Sequence, residues 1–318
     1  MISTPTLLVL GAGASMPYGY PSGDQLYTEI MEMSRSSGGV QDLTSAGFKP
    51  QFIEKFCTDL RHNQQYSIDR FLNQRREYSD IGKFSIALRL VRCEVPEGME
   101  RVGLETGHWY RYLWNRLSSG NTWEAFEKNA LRIITFNYDR SLEHYLARAL
   151  AALEPERSYA DAVAHVQKIP IRHMYGQLGK LTGDTEAVIK YLNGARPYET
   201  HAEKFVVDLA ADGIQTIHER DLDTDLGGAI REDMTWAHRV CFLGFGYDED
   251  NLKRLELDAL MSRVTSAGSG LSIMGTSLGI LGREYDAIRG AFNHLQNPSV
   301  FAPMDSEVFL RTNGVLLR

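Results

Sequence analysis

A short apolar run followed by glycines, LLVLGAGASMPYGYPSG over residues 7–23, constrains the fold of this chain more than any other segment. The run has the length of a buried strand, and the glycines that follow leave backbone N–H groups unblocked for a pyrophosphate. A Gly-x-Gly after a strand is also common in simple tight turns, so the pattern alone leaves both interpretations open. The candidate cofactor-binding residues of this segment are Gly11, Ala12, Gly13, Ser15 and Pro21.

Strand-like and helix-like runs alternate along the rest of the chain. Short apolar runs predict strands at Thr6–Leu10, Leu131–Phe136, Ile169–Tyr175, Val240–Phe245, Leu271–Met274 and Ser299–Ala302. Helical patterns cover Asp24–Ser34, Gln51–Leu60, Ile68–Arg76, Ile81–Val91, Trp109–Leu117, Ser141–Ala152, Asn251–Met261 and Arg283–Leu295. This alternation predicts an α/β fold with a Rossmann-like, doubly wound and mainly parallel sheet.

The long interval between the first two predicted strands reads almost entirely as helix. We therefore expect one domain over residues 1–318, with a helical module inserted at approximately 24–128 and closing over the ligand cleft. Gly38–Gly39 and Asp221–Gly228 are expected to be mobile loops, because glycine and aspartate favour turns.

Composition excludes several classes of function. The net charge is −7 and no run of five or more basic residues occurs, which argues against direct binding of nucleic acid or an acidic membrane. The three cysteines form no Cys-x-x-Cys pair, so neither a zinc site nor a disulfide framework is expected, and we expect no metal. No segment reaches the roughly 20 apolar residues that span a bilayer, and the first apolar run lacks a basic leader, so a cytoplasmic location is expected.

Polar side chains follow the second predicted strand, in the segment LRIITFNYD over residues 131–139. Thr135, Asn137 and Asp139 occupy alternate positions, which places them on one side at the carboxyl edge of the sheet, where doubly wound folds bind ligands. The simpler alternative is an Asx turn in which Asp139 caps the helix that begins at Arg140. That alternative accounts for Asp139 more readily than for Asn137, because a turn needs only one such residue.

A histidine ends the third predicted strand, in the segment IRHMYGQLG over residues 171–179. A lone histidine is more often a core or surface residue than a catalyst. The position of His173 at a strand end strengthens its candidacy, because imidazole titrates near neutral pH. Tyr175 lies two residues further and is expected on the same face, so either side chain is able to meet a sugar hydroxyl.

Two later strands also open into glycine turns. The segment VCFLGFGYDEDNL, residues 240–252, places Gly244 and Gly246 where the second half of a dinucleotide could approach. Asp248 and Asp250 are expected to cap the helix that follows, because the helix dipole favours carboxylates at its start. The segment SIMGTSLG then puts Thr276 and Ser277 after another strand.

These motifs together resemble those of the sirtuin (SIR2) superfamily, in the same order over residues 7–277. The match consists of Gly11-Ala12-Gly13-Ala14-Ser15 with Gly19-Tyr20-Pro21, Thr135-Phe136-Asn137-Tyr138-Asp139, His173-Met174-Tyr175-Gly176, and either Leu243-Gly244-Phe245-Gly246 or Gly275-Thr276-Ser277. Four motifs in the right order are a specific match, although each one alone is weak.

The departures from the sirtuin pattern narrow the resemblance. Ser22-Gly23-Asp24 stands where sirtuins carry Asp-Phe-Arg, Phe136 replaces a glutamine, and two residues separate His173 from its glycine. The four zinc cysteines of the protein-deacylating sirtuins are absent, and the helical stretch has no counterpart in them. With the SIDRFL segment at residues 67–72, the chain looks like the bacterial SIR2-like NADases of antiphage defence.

The resemblance implies that NAD is a substrate, split into nicotinamide and ADP-ribose. Asn137 would hold a water and a ribose hydroxyl, His173 would act as general base, and Asp139 would orient the loop. The first loop would hold the pyrophosphate, and the adenosine half would be lined by Gly244, Gly246, Thr276 and Ser277. Whether His173 or Tyr175 takes the place of the catalytic histidine stays open.

The same resemblance implies an assembly. The relatives form homo-oligomers or act with a second protein, such as a HerA-like ATPase or a short Argonaute. A noncatalytic sensor that binds NAD or ADP-ribose and regulates a partner is the alternative function. A deacylase is disfavoured, because both the zinc ligands and the glutamine are missing.

Overall fold

Six parallel strands form one sheet at the centre of the computed structural model. The strands are β1 (Thr6–Leu10), β2 (Leu131–Thr135), β3 (Ile171–His173), β4 (Arg239–Leu243), β5 (Ser272–Thr276) and β6 (Val300–Ala302). The structure describes residues 1–65, 67–94, 107–120, 122–179, 181, 201–217, 219, 225–256, 271–292 and 300–317.

The strand order is β3-β2-β1-β4-β5-β6, and every neighbouring pair is parallel. All five residues of β1 are buried, which suits a central strand with helices on both of its faces. The order reverses between β1 and β4, and the carboxyl ends of strands at such a switch point form a crevice that binds ligands. The chain therefore has a Rossmann-like α/β fold, as the alternation of strands and helices predicted, and all six predicted strands are present.

Fourteen α-helices lie within the described residues. They are α1 (Gly23–Met31), α2 (Ser37–Ser45), α3 (Pro50–Asn63), α4 (Ile68–Gln74), α5 (Ser79–Val91), α6 (Trp109–Leu117), α7 (Trp123–Glu127), α8 (Ser141–Leu153), α9 (Tyr159–Val166), α10 (His201–Asp212), α11 (Asp225–Trp236), α12 (Glu249–Arg254), α13 (Gly282–Phe292) and α14 (Ser306–Thr312). Among the described residues, none of these helices is both long and apolar enough to cross a bilayer.

The eight predicted helices correspond to α1, α3, α4, α5, α6, α8, α12 and α13. Of the predicted continuations, residues 257–261 and 293–295 lie outside the described part of the chain. The prediction of a mobile loop at Gly38–Gly39 is wrong, because both residues belong to α2, whose N-cap Ser36 accepts a hydrogen bond from the Gly39 N–H. Residues 225–228 likewise begin α11, while 221–224 lie outside the described residues.

Helices α1–α7 follow β1 and precede β2, and the described residues between those two strands contain no further strand. This helical segment is attached to the rest of the fold at several places: α5 packs against α10, and α6 packs against α8. The start of α6 also reaches the loop after β1, where Trp109 Nε1 donates to the Ala14 carbonyl at 2.8 Å. Part of the helical segment is therefore fixed beside the carboxyl edge of the sheet.

Candidate functional site

Two glycine-containing loops pack backbone to backbone at the switch point. The Gly11 and Gly13 N–H groups donate to the carbonyls of Leu243 and Gly244, both at 3.0 Å. A Cβ on Gly244 would lie 2.0 Å from the Ala14 nitrogen, and Gly244 adopts the left-handed conformation with a φ of +56°. The glycines are therefore needed for the close approach of the loops after β1 and β4.

This packing uses most of the N–H groups that a phosphate would need. Besides the two glycines, Ala14 and Ser15 donate to the carbonyls of Gly11 and Ala12 within the first loop. Among the described residues, the Ala12 N–H has no acceptor. The role of this loop in binding a pyrophosphate stays a prediction, and Ala12 carries the amide that is available for it in this conformation.

Ser15 joins the first loop to the loop after β2. Its hydroxyl donates to Asp139 Oδ2 at 2.8 Å and accepts from Asn137 Nδ2 at 2.9 Å, and the same Nδ2 donates to the Gly11 carbonyl at 2.9 Å. The Thr135 hydroxyl accepts from the Asn137 backbone N–H at 3.1 Å. The structure thus brings Asn137 and Asp139 to one place at the carboxyl edge, as their alternation predicted. The hydroxyl of Ser15 does not cap the next turn.

Asp139 also holds the start of α8. Its Oδ1 accepts from the Ser141 N–H at 3.1 Å and from the Ser141 hydroxyl, while Arg140 at the N-cap forms no side-chain capping bond. Burial raises the pKa of Asp139, and the hydrogen bonds from Ser141 and Ser15 counteract only part of that increase. The Asx-turn interpretation therefore holds for this carboxyl group, and its role in a ligand site stays a prediction.

The His173 ring lies between Asn137 and α8. His173 Nδ1 is 2.9 Å from the Asn137 carbonyl oxygen, and Nε2 is 2.8 Å from Glu143 Oε1. Burial of the ring lowers the pKa of His173, but the charge and hydrogen bond of Glu143, together with the Asn137 carbonyl, outweigh it, so the pKa is raised. Sequence reasoning missed Glu143, because an acidic residue in a first helical turn is already explained by the helix dipole.

Tyr175 occupies a different place from His173. Its hydroxyl donates to Asn251 Oδ1 on α12 at 2.5 Å, and its ring packs edge-on against Phe136 with the ring centres 5.8 Å apart. Burial raises the pKa of Tyr175 above its ordinary range. His173 contacts α8 and Tyr175 contacts α12, so the two side chains have different partners in the fold. Of the two, it is His173 that contacts Asn137.

The second glycine turn is held by Thr276, whose hydroxyl accepts from the Gly244 N–H at 2.8 Å. Ser277 is buried after β5, and its Oγ has no hydrogen-bond partner in the described part of the chain. A Cβ on Gly246 would meet nothing within 4 Å, so this glycine leaves open space. Pro21 precedes Ser22, the N-cap of α1. No hydrogen bond among the described residues joins Pro21, Thr276 or Ser277 to Asn137.

Helix α4 contacts the loop after β2 and the start of α12, and the sequence analysis predicted neither contact. Tyr138 stands between Asn137 and Asp139 in the sequence, and its hydroxyl donates to the Asp69 carboxylate. The next residue of the helix, Arg70, places Nη2 2.8 Å from Asp250 Oδ2. Asp248 caps α12 as predicted, accepting from the N–H groups of Asp250 and Asn251, and it also lies 3.5 Å from Arg70 Nη2. Asp250 was expected to cap as well, but its side chain pairs with Arg70. The SIDRFL segment therefore connects the loop after β2 with the start of α12.

A buried ion pair lies behind the loop after β2. Arg140 Nη2 is 3.4 Å from Glu94 Oε1, and both side chains are almost fully buried. Burial raises the pKa of Glu94 to about 7, against the effect of Arg140. The sequence carried no signal for this pair, because its two members come from segments that meet only in the folded chain.

No protein-family model matches the chain, and no curated protein is significantly similar to it. Within the described residues, no group of three or more His, Cys, Asp or Glu side chains is placed to hold a metal ion. The groups available at the switch point are therefore the hydrogen-bonding side chains of the loop after β2. Asn137 is partly exposed, and its Oδ1 accepts no hydrogen bond from the described residues, so it can accept one from a water or a hydroxyl.

Proposed function

We propose that this chain is an NAD⁺ hydrolase that releases nicotinamide and ADP-ribose. The observation that carries the proposal is the hydrogen-bonded group Ser15–Asn137–Asp139 at the switch point of a parallel sheet. Dinucleotides bind at such switch points. An asparagine with a free acceptor oxygen suits the positioning of a water beside the ribose, which hydrolysis needs and hydride transfer does not.

The reaction breaks the bond between ribose C1′ and the pyridinium nitrogen of NAD⁺. The bonding electron pair leaves with nicotinamide, a water oxygen bonds to C1′, and one proton is released. Positive charge develops on the ribose as the bond breaks, so the enzyme must hold the sugar and the water in place. In this proposal Asn137 Oδ1 accepts a hydrogen bond from the water or a ribose hydroxyl, and Asp139 fixes the loop through Ser15.

The remaining parts of the proposal rest on the resemblance to SIR2-like NADases. The loop Gly11–Ser15 would hold the pyrophosphate, and Gly246 would leave room for the adenosine half beside Thr276. The enzyme would act as a defence effector that depletes NAD once activated, as a homo-oligomer or with a partner such as a HerA-like ATPase.

The test is to measure nicotinamide and ADP-ribose by mass spectrometry after mixing the full chain with NAD⁺, alone and with candidate partner proteins. Asn137→Ala is expected to reduce nicotinamide release at least about 100-fold while NAD⁺ binding persists. Asn115→Ala is the matched control, because Asn115 is exposed on α6 and bonds only the Arg111 carbonyl there. Nicotinamide release at the wild-type rate by Asn137→Ala would refute the proposal.

The second candidate is a noncatalytic subunit that binds NAD or ADP-ribose and regulates a partner. The observation that favours it is the engagement of both His173 ring nitrogens within the protein. NAD⁺ that is bound but recovered unchanged under every condition, with the wild-type chain and with candidate partners, would support this function over hydrolysis.

A further inference from the structure

The His173 ring makes two hydrogen bonds, one to a backbone carbonyl and one to a carboxylate, and an ionised carboxylate only accepts. Nδ1 lies 2.9 Å from the backbone carbonyl of Asn137, and Nε2 lies 2.8 Å from a carboxylate oxygen of Glu143. A neutral imidazole carries one N–H, so both bonds form together only when the ring is protonated. The side chains of His173 and Glu143 are 6% and 15% exposed, which shields the ion pair from water.

A general base needs a nitrogen lone pair directed at the group that it deprotonates. In this arrangement neither of the two ring nitrogens presents one, because each donates to an acceptor of the protein. The ring instead connects α8 to the backbone of Asn137, whose side chain bonds Gly11 and Ser15. His173 therefore acts on the candidate site through Asn137.

We propose that Glu143 and His173 form a positioning pair, in which Glu143 holds the protonated ring and the ring holds the Asn137 carbonyl. This assigns a role to Glu143 and makes His173 a positioning residue instead of the general base; it rests on the proposed function. Among the described residues, the charged groups that act on the ring include Glu143 at the start of α8 and Asp139 at the end of the loop after β2.

The pH dependence of the wild-type rate distinguishes the two roles of His173. A general base works when neutral, so the rate would rise as pH increases through the pKa of His173. A positioning imidazolium works when charged, so kcat is expected to fall as pH increases through that pKa, which lies above the ordinary 6.5. The NMR signals of the ring protons give the pKa of His173. A rate that rises as pH increases through that pKa would overturn the positioning role.

Glu143→Gln keeps the shape of the side chain and removes its charge. The NMR pKa of His173 is expected to drop, because burial then acts against a weaker partner. We expect kcat to decrease about 10- to 100-fold with KM little changed, and the fall in rate to move to lower pH. Glu156→Gln is the control, since Glu156 is exposed and outside this pair.

Folding stability gives a readout that does not depend on activity. Because the pKa of His173 is raised in the folded chain, the contribution of the pair is complete below the unfolded value of 6.5 and is lost as pH rises through the folded pKa. The stability difference between wild type and Glu143→Gln, from urea unfolding, should be largest near about pH 6 and shrink at higher pH. A difference that is independent of pH would contradict the ion pair.

Failure of this inference can be told apart from failure of the proposed function. If the wild-type chain and its partners release no nicotinamide, the hydrolase proposal fails, while the NMR titration and the unfolding series still report on the pair. If nicotinamide is released but Glu143→Gln leaves kcat, the pH profile and the pKa of His173 unchanged, the hydrolase proposal stands and the positioning pair is wrong.

Discussion

At the scale of single residues, the site depends on how closely two backbones approach. The loops after β1 and β4 touch through Gly13 and Gly244, without side chains between them. The apolar runs and glycines of the sequence predicted loops at the ligand edge. That the glycines serve contact between the loops, as well as room for a ligand, follows only from the pairing of β1 with β4.

Gly244→Ala is expected to destabilise the chain by at least about 2 kcal/mol. The added Cβ would lie 2.0 Å from the Ala14 nitrogen, and the φ of +56° is unfavourable for alanine. Urea unfolding followed by circular dichroism measures the loss.

Gly246→Ala is the matched control in the same turn, because its Cβ would meet no atom within 4 Å. We expect it to change the free energy of unfolding by less than about 1 kcal/mol. Equal losses in the two variants would show that the loop contact at Gly244 does not limit stability.

The sequence predicted the positions of the candidate residues better than the bonds among them. Alternation along a strand end was enough to place Asn137 and Asp139 together, because that period is fixed by the backbone. The partners Glu143 and Glu94 were missed, since each meets its histidine or arginine through helix packing that no local pattern encodes. Ser15 was expected to bind the ligand, which stays a prediction, and its bond to Asp139 of the loop after β2 was not foreseen.

At the scale of elements, one buried carboxylate attaches α11 to the sheet. Asp233 is fully buried, and its Oδ1 lies 2.8 Å from Arg132 Nη1 on β2; Arg172 on the neighbouring strand β3 also contacts it. Glu232, the preceding residue, lies 2.9 Å from the same Arg132 nitrogen but is 67% exposed. Burial and the second arginine, Arg172, thus distinguish two adjacent carboxylates that share Arg132.

Asp233→Asn is expected to lower the free energy of unfolding by about 2–4 kcal/mol, because two arginines lose a buried counter-charge. Glu232→Gln is expected to lower it by less than about 1 kcal/mol, since an exposed ion pair is screened by water. Chemical unfolding of both variants at low and high salt measures the two effects. A loss at Glu232 as large as the loss at Asp233 would contradict this account.

The elements themselves were predictable where the pattern was strongly apolar. All six strands were found, because buried parallel strands read as continuous apolar runs. Helix α2 was missed because its two glycines suggest a loop, yet the Ser36 cap and the burial of Leu43 allow a helix there. Tertiary packing overrides local propensity in such segments.

At the scale of the whole molecule, the candidate site is assembled from distant parts of the sequence. The loops after β1, β2 and β4 meet at one edge of the sheet, and α4 and α8 hold them from the helical layers. The sequence could predict this meeting, because parallel strands bring their carboxyl ends to one edge. A ligand that binds there contacts the fold at several of these loops, so its binding free energy adds to global stability.

NAD⁺ is therefore expected to raise the unfolding temperature of the Asn137→Ala variant, which retains the ligand because it does not cleave it. At a concentration 100 times its Kd, a ligand that binds only the folded state adds about 2.7 kcal/mol. For a chain of this size that corresponds to an increase of about 5 °C in Tm. Differential scanning calorimetry with NAD⁺ and with a pyrimidine nucleotide sugar of similar charge measures the shift and its specificity. An unchanged Tm at millimolar NAD⁺ would show that the dinucleotide does not bind this site. An equal shift with the nucleotide sugar would show that the site recognises only the pyrophosphate.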